Sequence, residues 1–406
     1  MRMVRMRAVE FYSGIGGLHW AFKSVLPEGQ VVAAFDINEV ANDVYQHNFG
    51  FRPHQGNIQG VPLKRIDDLK ADIWLLSPPC QPYTRQGLKK DANDGRASSF
   101  LNLLEKLFAM EHPPKYLLLE NVVGFETSIT RGRMMGVLQE GGFTVQEFII
   151  SPNQLGIPYS RPRYFCLAKN NGCFPLELPA PNHTWRFPPS VLQGDSPEKM
   201  PEVRPLRDFL DDQDCLDLGG PLPESADTSL EVPAKVLERC CDVVNVVIPE
   251  YKASNCFTKS YAKYVKGTGA VLATEETHLL PRVEKLQDFC CNNRASGLDH
   301  WDVSATVCNG QSESDPPEAS SSSSSAPSSG ERLVEGSEVR TAALKELHAM
   351  TRAMNLRYFS PREVSRLHAF PKDFSFPEHV TLKQRYALLG NSLCVNVVAD
   401  LLRWLI

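Results

Sequence analysis

The chain has 406 residues, 42% of them hydrophobic, and a formal net charge of −5. The length suggests two to three domains with a sizeable core. The slight acidity excludes a molecule that binds polyanions over its whole surface, so any nucleic-acid contact must be local.

The basic start M-R-M-V-R-M-R runs into V-E-F-Y-S-G with no apolar signal core. Ala8 to Tyr12 reads as a strand, followed by a glycine turn and an apolar-periodic helix over Leu18 to Leu26. Val31 to Phe35 is a second short apolar run, and Val40 to Phe49 is helical. Ile73 to Leu76 is a strand, Ser98 to Met110 a helix and Tyr116 to Leu119 a strand. Arg133 to Glu140 is helical, and Phe143 to Ile150 and Tyr164 to Ala168 are strands. Short apolar strands separated by helices predict an α/β fold with a doubly wound, mainly parallel sheet.

After Asn170 the texture changes. Residues 171–341 are expected to form a smaller, partly disordered region, rich in proline and acid up to Glu238. Residues 311–336, with serines from Ser320 to Ser325, cannot bury enough apolar surface to fold and read as a disordered loop. Residues 342–406 read as helical pieces, over Ala342 to Arg357, Pro361 to Phe370 and Leu382 to Ile406. No apolar stretch reads as long enough to span a bilayer. The eleven cysteines are odd in number and form no C-x-x-C pair, which argues against a disulfide framework or a standard zinc site. Reduced thiols point to the cytoplasm, with the nucleus left open.

Chemistry concentrates at the ends of the first strands. Phe11-Tyr12-Ser13-Gly14-Ile15-Gly16-Gly17 joins a strand to a helix, and its glycines allow a ligand to approach the backbone and the free N–H groups of the helix start. The spacing is not G-x-G-x-x-G, which disfavours a dinucleotide. Asp36 ends the second strand, where a carboxylate commonly binds ribose hydroxyls or simply caps a helix. Cys80 follows two prolines in L-L-S-P-P-C-Q-P-Y-T-R, on a pinned backbone leaving the core. That place suits a nucleophile, although a lone cysteine is more often an inert packing residue. Glu120 follows the strand Tyr116–Leu119, at the sheet edge where open α/β folds bind ligands. Arg161 and Arg163, two apart, can point to one face, or form a salt bridge or solvated strand edge.

Together F-Y-S-G-I-G-G, S-P-P-C-Q-P, L-E-N-V, S-R-P-R-Y-F and the late G-N-S-L-C-V-N-V resemble the motifs of the cytosine-C5 methyltransferase family, in the family's order. The resemblance implies an S-adenosylmethionine-dependent methyltransferase fold, with S-adenosyl-L-methionine as methyl donor, S-adenosyl-L-homocysteine as product and no metal. It implies that residues 1–170 form the catalytic domain, that 171–341 hold target recognition and that 342–406 return to the catalytic domain. Cys80 would add to C6 of cytosine and make C5 nucleophilic. Glu120 would protonate N3. Arg161 and Arg163 would bind the base carbonyl or a phosphate and hold the Cys80 loop. The methyl then moves to C5, the C5 proton leaves and Cys80 is eliminated, on a base taken out of its stack. In the cofactor site, Ile15, Gly16, Gly17 and Leu18 would line the methionine part, beside Phe11, Ser13 and Gly14. Asp36 and Ile37 would meet the ribose and its surroundings, Asn57 and Ile58 would flank the adenine, and Ser77 and Pro79 would lie beside the catalytic loop. Asn391 and Ser392 would close the pocket, although Gly390-Asn391-Ser392 is also adequate as a helix C-cap.

The sequence further resembles the branch of that family that methylates the anticodon-loop cytosine of aspartate tRNA. This rests on Ser77 and Pro82 around the catalytic loop and on the Cys256-Phe257-Thr258 triplet with its tail K-S-Y-A-K-Y-V-K-G-T-G. Tyr83, where phenylalanine is usual, and the serine-rich segment depart from the pattern. Tyr251 to Lys266 also carries lysines, no acid and interleaved aromatics, a composition suited to unpaired bases or to a β-hairpin with a lysine face. Gln81, Thr84, Lys89, Lys90, Cys256, Phe257, Thr258, Lys259, Tyr261 and Lys263 are the expected substrate contacts. The expected partner is tRNA, bound by a monomer with no membrane contact. A DNA cytosine-C5 methyltransferase and a non-catalytic nucleic-acid-binding scaffold are the alternatives.

Overall fold

Short apolar runs of the first half build the centre of the fold. The structure, a computed structural model, describes residues 5–79, 95–180, 182–192, 200–212, 217–222, 229–240, 243–264, 266–274, 342, 345–350 and 352–406. β1 (Arg7–Phe11), β2 (Gln30–Asp36), β4 (Ile73–Leu76) and β5 (Tyr116–Val122) run parallel, and β3 (His54–Gln55) extends them beside β2. All of β4 is buried, as a strand covered on both faces requires. β6 (Phe143–Ile150), β7 (Arg163–Asn170) and β8 (Thr184–Trp185) complete the order β3-β2-β1-β4-β5-β7-β6-β8. Only β7 is antiparallel to its neighbours β5 and β6. This is the doubly wound, mainly parallel sheet expected from the sequence. Its strand order reverses between β1 and β4, which opens a crevice outside their carboxyl ends.

The elements fall where the apolar pattern places them, with differences at their ends. α1 (Gly17–Val25) and α2 (Glu39–Phe49) follow β1 and β2, and the short α3 (Leu63–Asp67) precedes β4. α4 (Gly95–Glu105) gives way to a 3-10 turn at Lys106–Ala109, short of the expected Met110. α5 (Ile129–Glu140) starts four residues before Arg133, because the Ser128 hydroxyl caps it by accepting the Arg131 N–H at 3.0 Å. β5 runs past Leu119, so Glu120 and Asn121 are ladder residues opposite Phe165 and Tyr164. The antiparallel β7 supplies the hydrogen bonds that carry the strand onward.

Contacts divide the chain into two units. The first comprises Met1–Ser229, Pro249–Ala270 and Phe359–Ile406. Residues 171–229 thus group with the sheet, in place of the boundary expected at 170, because β8 pairs with β6 and α6 (Pro189–Leu192) packs beneath the C-terminal helix. The second unit, Leu230–Ile248 with Val271–Tyr358, contains α7 (Ala234–Cys240) and a three-stranded sheet. That sheet holds β9 (Asn245–Val247), β10 (Ala270–Ala273) and β11 (Leu356–Tyr358) in the order β11-β10-β9. The helix expected over Ala342–Arg357 therefore ends in a strand. The expected disordered loop 311–336 lies outside the described residues.

In the first unit, α8 (Pro361–Leu367), α9 (Leu382–Asn391) and α10 (Val395–Leu405) follow. α10 packs on α1, β5 and β7, and the Trp404 indole donates to Gln146 Oε1 at 2.8 Å. Leu382–Leu405 has the length and apolarity of a bilayer span, against the sequence expectation. It is two helices separated at Ser392–Cys394, and 72% of its apolar window is buried within the protein, as core helices are.

Candidate functional site

β1 ends at Phe11, and the turn after it bends the chain into α1. Tyr12 and Gly14 adopt left-handed φ of 59° and 52°, and Gly16, at 85°, is the N-cap of α1. The Tyr12 side chain is held by a 2.7 Å hydrogen bond with Ser99 Oγ of α4. Asp36, at the end of β2, accepts the Gly14 N–H at 2.8 Å and the Asn38 N–H at 2.7 Å. Burial pushes the Asp36 carboxyl up, and these N–H donors work against it. Asn57 caps the 3-10 turn Ile58–Gly60 by accepting the Gln59 N–H.

A cavity of about 390 Å³ opens over these ends. Ser13, Gly14, Ile15, Gly17, Leu18, Asp36, Ile37, Asn57, Ile58, Ser77, Pro79, Asn391 and Ser392 line it, all of them expected cofactor residues. Two other expectations differ. Phe11 is fully buried, stacked on Phe35 and edge-on to Trp74, and does not reach the cavity. Gly16 is also absent from the lining, and its left-handed backbone and close approach to Phe49 and Tyr45 give it a shaping role in the turn.

Glu120 faces the same cavity from β5 and is 8% exposed. The Ser77 hydroxyl donates to its Oε2 at 3.0 Å, and Arg163 Nε lies 3.4 Å from its Oε1. Both carboxylate oxygens are thus oriented by neighbours at the ends of β4 and β7.

Arg161 departs from its expected place. It touches the cavity, but its guanidinium is buried and bound to the protein itself. Nη1 donates to Phe257 O at 3.0 Å and to Cys256 Sγ at 3.2 Å, while Nη2 donates to Gly390 O at 2.9 Å and to Ser392 O. Its Nη donors are spent tying the Cys256–Thr258 loop to the helix end that carries Asn391, and its Nε is buried, so it is neither a free binder of base or phosphate nor a solvated edge. Burial raises the Cys256 thiol, but the Arg161 and Arg163 charges outweigh it and hold the thiol below its usual range.

The described residues of the Tyr251–Lys266 stretch are irregular chain followed by turns, with no strand of a hairpin among them. Phe257 and Tyr261 are 1% and 4% exposed, edge-on to each other and packed with Phe359 and Tyr386, so neither ring is a stacking platform for bases. Thr258 is half-buried, Lys259, Lys263 and Lys266 are exposed, and Tyr264 presents half its surface with Lys263 Nζ 5.0 Å from its ring centre. Cys80, Gln81, Thr84, Lys89 and Lys90 lie outside the described residues. Tyr12, Asn38, Ala41, Gly56, Pro78, Ser99, Val122, Leu388, Gly390 and Leu393 also line the cavity and were not among the expected site residues. Tyr12, Pro78, Val122, Gly390 and Leu393 lie inside the quoted motifs, and the others carried no local signal.

Below the turn lies a polar chain inside the apolar core. Glu10 on β1 is fully buried, Tyr45 Oη donates to its Oε2 at 2.9 Å, and His19 Nδ1 is 2.8 Å from the same Oη. Burial pushes Glu10 up to about 8, against the Tyr45 hydrogen bond. Burial, with the Lys23 charge, pushes His19 down to about 3. Between pH 4.5 and 8 the unfolded chain releases the Glu10 proton and the folded one keeps it, so this group's contribution to stability falls as pH rises. His19 acts in the opposite sense between 3 and 6.5. The two therefore offset each other between pH 4.5 and 6.5, and from 6.5 to 8 Glu10 acts alone, at about 1 kcal/mol per pH unit. Denaturant titrations at pH 6.5 and 8 should show wild type losing stability relative to Glu10→Gln by that amount per unit. Parallel pH dependences in the two proteins would contradict a protonated Glu10.

The chain matches the C-5 cytosine-specific DNA methylase family over residues 6–406. A protein of Rattus norvegicus named tRNA (cytosine(38)-C(5))-methyltransferase is 36% identical to it, over 98% of this chain and 99% of that one. A protein of Dictyostelium discoideum named DNA (cytosine-5)-methyltransferase is 31% identical, over 100% and 95%. The crystal structure of S. pombe Dnmt2 methyltransferase is similar with a TM-score of 0.69 and 28% identity, over 99% of this chain and 98% of that one.

Proposed function

We propose that this chain, which belongs to the C-5 cytosine-specific DNA methylase family, is a tRNA (cytosine-5-)-methyltransferase acting on an anticodon-loop cytosine, with aspartate tRNA as substrate. The observation that carries the reading is the oriented Glu120 carboxylate at the wall of a cavity whose other wall is the β1 turn. The relatives' names support the choice of tRNA, and the Dictyostelium name keeps DNA as the second reading.

The cavity fits S-adenosylmethionine. Ser13 Oγ is buried at its wall without a hydrogen-bond partner among the described residues, a donor and acceptor left for a ligand. Ile37 is 71% exposed beside Asp36, an apolar surface suited to a flat ring next to a ribose-binding carboxylate. When bound there, S-adenosylmethionine supplies the methyl group as an activated sulfonium. Cys80 would add to C6 of the cytosine and later be eliminated. Glu120, held by Ser77 and Arg163, would keep a proton at N3 of the base during the addition. Arg161 holds the walls that Asn391 and Ser392 belong to. Lys259, Lys263, Lys266 and Tyr264, in place of Phe257 and Tyr261, are the groups exposed for RNA. Four described cysteines are free thiols, which supports a reducing compartment, and the cytoplasm is the residence we propose.

Bisulfite sequencing of aspartate tRNA after incubation with enzyme and S-adenosylmethionine tests the position. One protected cytosine in the anticodon loop is expected. Protection elsewhere, or scattered over the molecule, would contradict it.

A further inference from the structure

Behind Arg161 lie two residues that the chemistry above leaves unused. Tyr159 and His368 are fully buried, and neither lines the cavity. His368 follows α8, and its Nδ1 is 2.8 Å from Val364 O. A carbonyl only accepts, so Nδ1 carries the proton and Nε2 of the neutral ring is an acceptor. Burial and the positive Arg161 hold His368 well below its usual pKa, which keeps it neutral. Tyr159 Oη is 3.1 Å from Nε2 and must donate to it. The phenol oxygen then turns its lone pairs to Arg161 Nη1, 3.3 Å away, which donates. One direction of donation is possible along the whole chain, from Arg161 through Tyr159 and His368 to the Val364 carbonyl. Arg161 needs such an anchor: among the described residues no carboxylate lies within ion-pair distance of it, and its Nε has no partner.

We propose that Tyr159 and His368 are positioning residues that fix the rotation of the Arg161 guanidinium, and through it the register between the Cys256–Thr258 loop and the Gly390–Ser392 helix end. The inference rests on the function proposed above for its effect on turnover, but not for its effect on structure. The residue that ends α8 also bonds to the start of α10, three residues past Ser392, since the His368 carbonyl accepts the Val395 N–H at 2.8 Å. The His368 side chain and main chain thus hold the site from two sides. A residue that only filled space would be replaced by an apolar isostere without consequence. Tyr159→Phe keeps the ring against Phe257 and His368 and removes only the hydroxyl.

The test compares wild type, Tyr159→Phe, His368→Leu and the double variant. Active sites are counted by S-adenosylhomocysteine titration, methyl transfer to tRNA is measured per active site, and hydrogen exchange is followed in peptides covering 256–260 and 388–394. Tyr159→Phe is expected to lower kcat about tenfold, the scale of one hydrogen bond to a charged group, with KM for tRNA little changed. Exchange should quicken in those two peptides and not across the β1–β4–β5 sheet. The double variant should be no slower than the worse single variant, because both break one chain. Unchanged exchange in both peptides overturns the proposal whatever the activity, and so do losses that multiply in the double variant. A wild type inactive on tRNA, with quickened exchange in Tyr159→Phe, overturns the proposed function and leaves the positioning of the loop and helix end supported.

Discussion

Replacing Cys80 with alanine is expected to reduce methyl transfer by roughly 10⁴-fold or more, the scale of losing a covalent nucleophile. The uncatalysed alternative, attack by an unactivated C5, has no route around the missing thiolate. S-adenosylhomocysteine binding should persist, because the turn, Asp36 and the Asn391–Ser392 wall, which line the described cavity, are untouched by the substitution. Single-turnover transfer and calorimetry on the same preparation separate the two effects. Activity within tenfold of wild type would mean another nucleophile. Cys256, held toward its thiolate by Arg161 and Arg163, is then the thiol to examine.

Gly390→Ala is expected to cost stability and activity together. Gly390 is the point where α9 meets the loop after Cys256, and a Cβ there would overlap the Thr258 carbonyl and the Lys259 amide. The obstacle is backbone on both sides, so no side-chain rotation relieves it. Arg161 ties the same two segments, and the clash therefore opposes the hydrogen bonds to Phe257 O and Gly390 O directly. A loss of about 1–3 kcal/mol or more follows from overpacking of this kind. Cofactor affinity should fall at least tenfold, because Asn391 and Ser392 move with the helix end. Gly132→Ala on α5 is the control: its Cβ meets nothing within 4 Å and should stabilise by about 0.5–1 kcal/mol. Denaturant midpoints and cofactor titrations of the two variants decide it. A Gly390→Ala protein as stable as Gly132→Ala would show that the helix and loop are not in register as described.

Much of the site was legible because it is built from strand ends. Buried parallel strands announce themselves as apolar runs, and the residues just past them fall into the crevice by topology, which is how Asp36, Ser77 and Glu120 come to share one cavity. Arg161 was misread because two arginines spaced by one residue look alike in sequence. Only the packing shows that one reaches the Glu120 carboxylate while the other is enclosed by carbonyls from segments 96 and 229 residues away. The same holds for Phe257 and Tyr261, whose interleaving with lysines reads equally as a stacking surface or as a core. Tyr159 and His368 gave no signal at all, being 209 residues apart and significant only as a pair.

Labelled methyl transfer from S-adenosylmethionine to total tRNA and, in parallel, to duplex DNA of mixed sequence tests the proposed function most directly. Label in tRNA alone is the expected result. Label in DNA at a comparable or greater rate, or in neither while S-adenosylhomocysteine still binds, would contradict it.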